Sequence, residues 1–243
     1  MKQLLKIFFL ISAINVYGQS NESFFKYNFG ILWTKTDNSL VYGFIGENYQ
    51  RMRIKIISVT KDTLHNDTYL VNGKTMVKNN TCNFNGLIKI KNVTPNKEMH
   101  LGVDDEYKDK GIKKEGALTA EYHFYEDSAQ LHAGIFNGMV TSYWYIDKNN
   151  KLKYDDIESF SDDYRNNQFV GTWTSYKSHE IKVCNWGDYR LPGVPNDFDC
   201  GAGEFSPCEK YLKYGWQNLR DAYLSVPPDS SALREEERHW WKK

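Results

Sequence analysis

Neither sign of charge is in surplus: lysine and arginine together number 31, and so do aspartate and glutamate. A chain without a net field lacks the electrostatic footprint that a nucleic-acid backbone or a strongly anionic surface requires, so no nucleic-acid partner is expected. Beyond residue 18 no apolar run is long enough to cross a bilayer, which takes about 20 residues as a helix. Gly-x-Ser-x-Gly, His-Glu-x-x-His and glycine-rich phosphate loops are all missing. No ready-made nucleophile, zinc-protease or nucleotide site can therefore be read off. Catalytic groups can still converge from distant strands, so this absence does not exclude an enzyme. The four cysteines contain no Cys-x-x-Cys pair, which argues against zinc, and no cofactor is implied.

What is present begins with an address. Lys2 and Lys6 form a positive start, residues 7–14 a short apolar stretch, and Val16-Tyr17-Gly18 a small-residue cleavage site before Gln19. Residues 1–18 are expected to be a signal peptide, with no transmembrane segment after its removal and a secreted or periplasmic destination. Gln19, not Cys, follows the cleavage point, so no lipoprotein anchor is expected. In such a compartment cysteines oxidise. Cys82, Cys184, Cys200 and Cys208 allow three pairings. Cys200 and Cys208 flank a short loop containing Gly and Pro and can close it, which would leave Cys82–Cys184 as a long-range staple.

Aromatic residues are abundant (15% of the chain), while Ala and Leu are comparatively scarce, which favours strands over helices. Residues 24–34, 39–46, 52–60 and 86–93 read as strands. Asn72-Gly73 inside residues 68–77 reads as the turn of a hairpin. From Ala117 to Glu126 the chain alternates: Leu118, Ala120, Tyr122 and Phe124 share one face, Glu121, His123 and Tyr125 the other. Further strands are expected over 133–147, 168–177 and 180–186, with charged connections over 95–114 and 148–167. Ser206-Pro207-Cys208-Glu209 has the form of a capping box. It predicts a helix over about 207–224, with Leu212, Trp216, Leu219 and Tyr223 on its packed face and Gly215 weakening its middle. The fold class is mainly β, an antiparallel barrel or strongly coiled sheet or sandwich with one C-terminal helix packed on it. Residues 19–225 form one domain, and 226–243 are a charged tail, either a loose helix or disordered.

Phe-x-Gly-x-x-Thr-Ser-Tyr occurs twice, from Phe136 to Tyr143 and from Phe169 to Tyr176. Glycine on the face where Phe packs suggests a bulge, sharp coiling or close backbone approach. Gly138 and Gly171 are expected at matching bends, and the Thr-Ser-Tyr ends could line a ligand-binding mouth. Gly171-Thr-Trp173 resembles the Gly-x-Trp element of lipocalin-like barrels. Gly43-Phe-Ile-Gly46-Glu-Asn-Tyr-Gln-Arg51, Asn72-Gly-Lys74 with Cys82-Asn-Phe-Asn-Gly86, Asn167-Gln-Phe-Val-Gly-Thr-Trp173 and Cys184-Asn-Trp-Gly-Asp-Tyr-Arg190 together resemble uncharacterised exported proteins of Bacteroidetes-type bacteria. That resemblance implies export and an envelope setting, and carries no activity.

Three groups of residues are candidates for a site. Trp186, Asp188 and Arg190 could stack on and hydrogen-bond a sugar, against the plainer reading of a core Trp beside a structural ion pair. Asp197, Asp199 and Glu204, with nearby glycine turns, could offer oxygens to calcium, although the spacing fails the EF-hand rule and surface turn chemistry is the simpler account of them. Glu121 and His123, with Glu126 near them in sequence, could form a carboxylate–His pair for proton transfer. The function expected is an exported binding or interaction protein of the cell envelope, with a small apolar ligand, a glycan or an envelope protein as partner. The alternatives are a secreted hydrolase using the carboxylate–His pair, or an inhibitor or immunity-type protein acting through loops 95–114 and 186–205.

Overall fold

The computed structural model describes Asn21 and residues 23–242, and the expected export signal lies outside them. Nine strands follow in order: β1 (Val41–Ile45), β2 (Gln50–Lys61), β3 (Thr68–Val77), β4 (Asn80–Pro95), β5 (Ile112–Glu126), β6 (Gly134–Asp147), β7 (Leu152–Tyr154), β8 (Asn166–Ser175) and β9 (Ile181–Asp188). Eight of them close an antiparallel barrel in the order β1-β2-β3-β4-β5-β6-β8-β9, with β9 returning to β1. β7 pairs with the stretch of β6 beyond its pairing with β8. The chain thus meanders up and down, and closure leaves no barrel edge exposed to another chain.

Alternation fills the interior. Leu118, Ala120, Tyr122 and Phe124 of β5 are completely buried, as their spacing predicts, and they meet Phe84, Ile88, Phe136, Val140, Phe169 and Trp186 from other walls. The two repeat copies lie side by side in β6 and β8, with Gly138 directly opposite Gly171. Neither glycine sits at a bulge, because the β6–β8 register is unbroken from Gly134 to Thr141. Their role is close approach. A Cβ on Gly138 or Gly171 would stand 2.6 or 2.5 Å from the Tyr122 hydroxyl oxygen. The pairing is antiparallel, so the two Thr-Ser-Tyr ends lie at opposite ends of the barrel and do not line one mouth.

Three local expectations are corrected. Residues 24–34 are not a strand: Phe29–Trp33 is a 3₁₀ turn capped by the Asn28 side chain, which accepts from the Gly30 amide. Its apolar residues Phe29, Leu32 and Trp33 have helical spacing, and they plug one end of the barrel against Trp144 and Tyr69. Asn72-Gly73 is not a turn but mid-strand in β3, opposite Asn85 and Phe84, with the Phe84 ring lying over Gly73. Cys82 and Cys184 are both buried and unpaired. They belong to β4 and β9, four strands apart in the ring and therefore on opposite walls. A disulfide needs Cα atoms within about 7 Å, which the packed interior between those walls forbids.

The expected Cys200–Cys208 disulfide is present. The loop it closes takes up Ser206, whose amide donates to Asp199 Oδ1 (2.9 Å), and Pro207, which bridges Asp199. The helix therefore starts later than the capping box suggests: α1 covers residues 209–223, with Cys208 at its N-cap. Gly215, at φ 93°, widens its middle turn. Leu212, Trp216 and Leu219 pack with Phe198 and Phe205 on the outward rings of Tyr42 and Phe44, a second apolar cluster outside the barrel, while Tyr223 stays half-exposed. Residues 230–240 of the C-terminal segment pack against the barrel. Its helix α2 (Ser230–Glu237) is capped by Asp229, and Glu236, only 2% exposed, accepts from Arg51 (2.5 and 2.7 Å) and Arg53 (2.6 Å) on β2. Trp240 is buried beyond it.

Candidate functional site

The two ends of the barrel differ. The plug and the longer loops close one. At the other, four short turns, at 46–49, 78–79, 127–133 and 176–180, surround an open mouth. The cavity there measures about 890 Å³, within the range of small-molecule sites. Trp173 and Phe136 contribute ring surface to it, Ile45 and Val77 aliphatic surface, and Asn48, Gln50, Asn79 and Asn80 amides.

Glu126 also lines this cavity, and it is 5% exposed. It is the last residue of β5 and continues the inward face of Leu118, Ala120, Tyr122 and Phe124. Thr75 donates its hydroxyl to Oε1, while the Gly134 amide (2.9 Å) and Trp173 Nε1 (3.0 Å) donate to Oε2. Burial pushes the carboxyl above its ordinary range, and these three donors pull it partly back. All three donors are neutral. Charged side chains lie higher, at the rim: Lys78 and Lys182 against Glu47 and Glu180, with His132 beside them. Lys182 Nζ sits 3.3 Å from Glu180 and 5.9 Å from the centre of the Trp173 ring.

A second polar cluster lies near the plug. Asp188 is fully enclosed, and its Oδ2 accepts from Thr36 Oγ1 (2.6 Å), Asn167 Nδ2 (2.7 Å) and the Tyr154 hydroxyl (2.9 Å). Burial pushes it up to about 7 against those hydrogen bonds. Asn167 also donates to Leu32 O (2.7 Å), and Trp33 Nε1 to Ser142 Oγ (3.0 Å), so this network ties the plug to β6, β8 and β9. It holds the fold together and leaves little room for a ligand, since the cavity beside it is only about 30 Å³.

The residues singled out from sequence are dispersed. Trp186 is a core ring, stacked on Phe169 at 4.6 Å, and Asp188 follows it on the same inward face. Arg190 does not pair with Asp188; its guanidinium donates to the carbonyls of Asp162, Gly203 and Tyr189. Glu121 and His123 share the outer face of β5, where Glu121 pairs with Lys91 (2.6 Å) and His123 Nδ1 meets Asn137 Oδ1 (2.6 Å). Neither lines the mouth. The calcium grouping is not assembled: Asp197 faces Lys210 and the Tyr211 hydroxyl, Asp199 Oδ1 accepts the Gly201 and Ser206 amides, and Glu204 is exposed. No three His, Cys, Asp or Glu gather as metal ligands among the described residues. Sequence reasoning passed over Glu126, Thr75 and Trp173 as a group. The available signal was an acid continuing an otherwise apolar alternating face.

No family model, curated protein or solved structure matches the chain. Among the described residues no helix is long and apolar enough to cross a membrane.

Proposed function

We propose that the protein is an exported binding protein that holds a small ligand in the mouth of its barrel. One observation carries this reading: the wide cavity has a buried acid on its floor, on a scaffold whose opposite end is plugged. An enclosed carboxylate costs stability unless something compensates it, and Glu126, unlike the structural Asp188 with only about 30 Å³ beside it, borders a cavity of about 890 Å³. Trp173 and Phe136 offer flat apolar surface, and the rim amides offer hydrogen bonds, so the ligand has a polar head and an apolar body. The positive, apolar N-terminal stretch and the Cys200–Cys208 disulfide support an exported setting.

A thermal-shift screen of small amphiphiles, glycans and lipids on the mature protein tests it. A ligand at a hundred times its Kd adds about 2.7 kcal/mol. For a chain of this size that is a rise in Tm of about 5–10 °C. Val77→Trp, which narrows the mouth, is expected to abolish the shift without unfolding the protein. Shifts that survive Val77→Trp would place the ligand elsewhere and refute the reading.

A further inference from the structure

We infer that the mouth selects ligands carrying an alkylammonium or guanidinium head, which pairs with Glu126 while the ligand's apolar body lies on Trp173 and Phe136. The inference rests on the binding reading above and names the ligand's chemistry. Two independent features point to a cation.

The first is the bonding of Glu126. Its donors are a hydroxyl, an indole N–H and a backbone N–H, and among the described residues no basic side chain hydrogen-bonds it. Among the described residues Oε1 takes a hydrogen bond from Thr75 alone, so it has acceptor capacity to spare. A buried carboxylate without a counter-charge is an unfavourable arrangement that an incoming cation relieves, and charge-assisted bonds are the stronger kind. Rim charges do not compete for this role. Lys182 pairs with Glu180 (3.3 Å) in a solvated setting, where pairs contribute little, and Lys78 and Glu47 line the same rim. The charge that decides selectivity is the enclosed one.

The second feature is the Trp173 ring. The chain's own ammonium, Lys182 Nζ, already lies 5.9 Å from its centre, and Lys182 lines the same cavity. Indole is the strongest of the side-chain π faces for a cation. The same indole donates its N–H to Glu126, so the ring face and the carboxylate belong to one rigid unit. Lys182 is held back by Glu180, which leaves the deeper position against Glu126 to a ligand.

Protons provide a separate readout. The titratable groups facing Glu126 are Lys78, Lys182, Glu47, Glu180 and His132 at the rim, and the thiols of Cys82 and Cys184, both pushed up by burial and by Glu126 itself. With its carboxyl raised by burial, Glu126 takes up a proton more readily than an exposed acid. A cation therefore expels that proton, and a neutral ligand does not.

The test is titration calorimetry on the mature protein with three probes of one shape: 2-phenylethylamine, 2-phenylethanol and 3-phenylpropionate. The amine is expected to bind at least ten times more tightly than the alcohol and the acid. Its binding heat at mildly acidic pH is expected to vary with buffer ionisation enthalpy in the sense of proton release. Glu126→Gln should remove the preference while leaving alcohol binding in place. Lys182→Met, at a part-exposed rim position, keeps the test decisive if Glu126→Gln fails to fold. It takes the chain's own ammonium off the Trp173 face, and with it the repulsion of a second cation, and is expected to tighten amine binding several-fold without changing the alcohol. Alcohol or acid binding as tight as the amine overturns the cation inference and leaves mouth binding standing. Amine binding that neither variant alters also overturns it. Failure of all three probes, together with failure of the wider screen, overturns both readings.

Discussion

Tyr122→Phe tests the account of the paired glycines most directly. Tyr122, Gly138, Gly171 and Cys184 lie in one row across β5, β6, β8 and β9. The Tyr122 ring packs against Phe169 and Trp186, with its oxygen over the two glycines. That hydroxyl has no hydrogen-bond partner among the described residues. A buried hydroxyl left unbonded costs about 1–3 kcal/mol, and removing one oxygen leaves only a small void. Tyr122→Phe is therefore expected to stabilise the protein by about 1 kcal/mol, a rise in Tm of about 2–4 °C. Gly171→Ala acts in the opposite sense. Its methyl meets the Tyr122 oxygen at 2.5 Å and the Asn137 carbonyl still more closely, and overpacking of this kind costs about 1–3 kcal/mol. The double variant relieves the phenol clash but not the carbonyl clash, so the cycle should show a favourable coupling of about 1 kcal/mol with incomplete rescue. Urea denaturation followed by tryptophan fluorescence measures all four corners. A loss of more than about 1 kcal/mol on Tyr122→Phe, or strict additivity in the cycle, would refute the idea that the glycines exist to seat this ring.

Asp188 gives a pH prediction. Its folded value of about 7 lies above the ordinary 3.8, so the native state binds the proton more tightly than the unfolded chain. Stability is then fullest below about pH 4 for this group and falls as pH rises to about 7, by roughly 4 kcal/mol at about 1.4 per pH unit. Asp155, raised by burial to about 6, adds to the same slope. Asp188→Asn should flatten it in urea titrations across that window, and an unchanged slope would remove Asp188 as its cause. Glu236→Ala strands Arg51 and Arg53, each about one-tenth exposed, and is expected to cost about 3–5 kcal/mol. Limited proteolysis should then cut near residues 226–230, and continued resistance there would show that Trp240 alone anchors the tail. Thiol titration should find no reactive cysteine in the native protein and two after denaturation without reductant, Cys82 and Cys184. Zero in both states would restore the long-range disulfide.

The mainly β class, the strand faces and the local disulfide were legible because each depends on neighbours in sequence. The alternation of Leu118, Ala120, Tyr122 and Phe124 places them inward whatever the rest of the chain does. Cys200 and Cys208 are brought together by a loop short enough to close on itself. The helix over the C-terminal aromatic residues follows equally from the spacing of Leu212, Trp216 and Leu219. Where a local signal met a tertiary constraint, the tertiary one prevailed. Asn72-Gly73 has turn chemistry, but β3 needs its full length to pair with β2 and β4, and Phe84 needs the open face of Gly73. Phe29, Leu32 and Trp33 lie in a stretch that reads as a strand, but the barrel end needs a plug, and a helical turn presents all three to it.

Closure of the ring decided what spacing could not. It put Cys82 and Cys184 on opposite walls and turned Trp186 into the core. It set the two Thr-Ser-Tyr segments at opposite ends, because neighbouring strands run antiparallel. Glu126, Thr75 and Trp173 are far apart in sequence, on β5, β3 and β8, and they meet only because those strands reach the same end of one barrel. Sequence by itself determined which residues face inward. The closed barrel determined which of them meet, and hence where an enclosed carboxylate faces an open mouth.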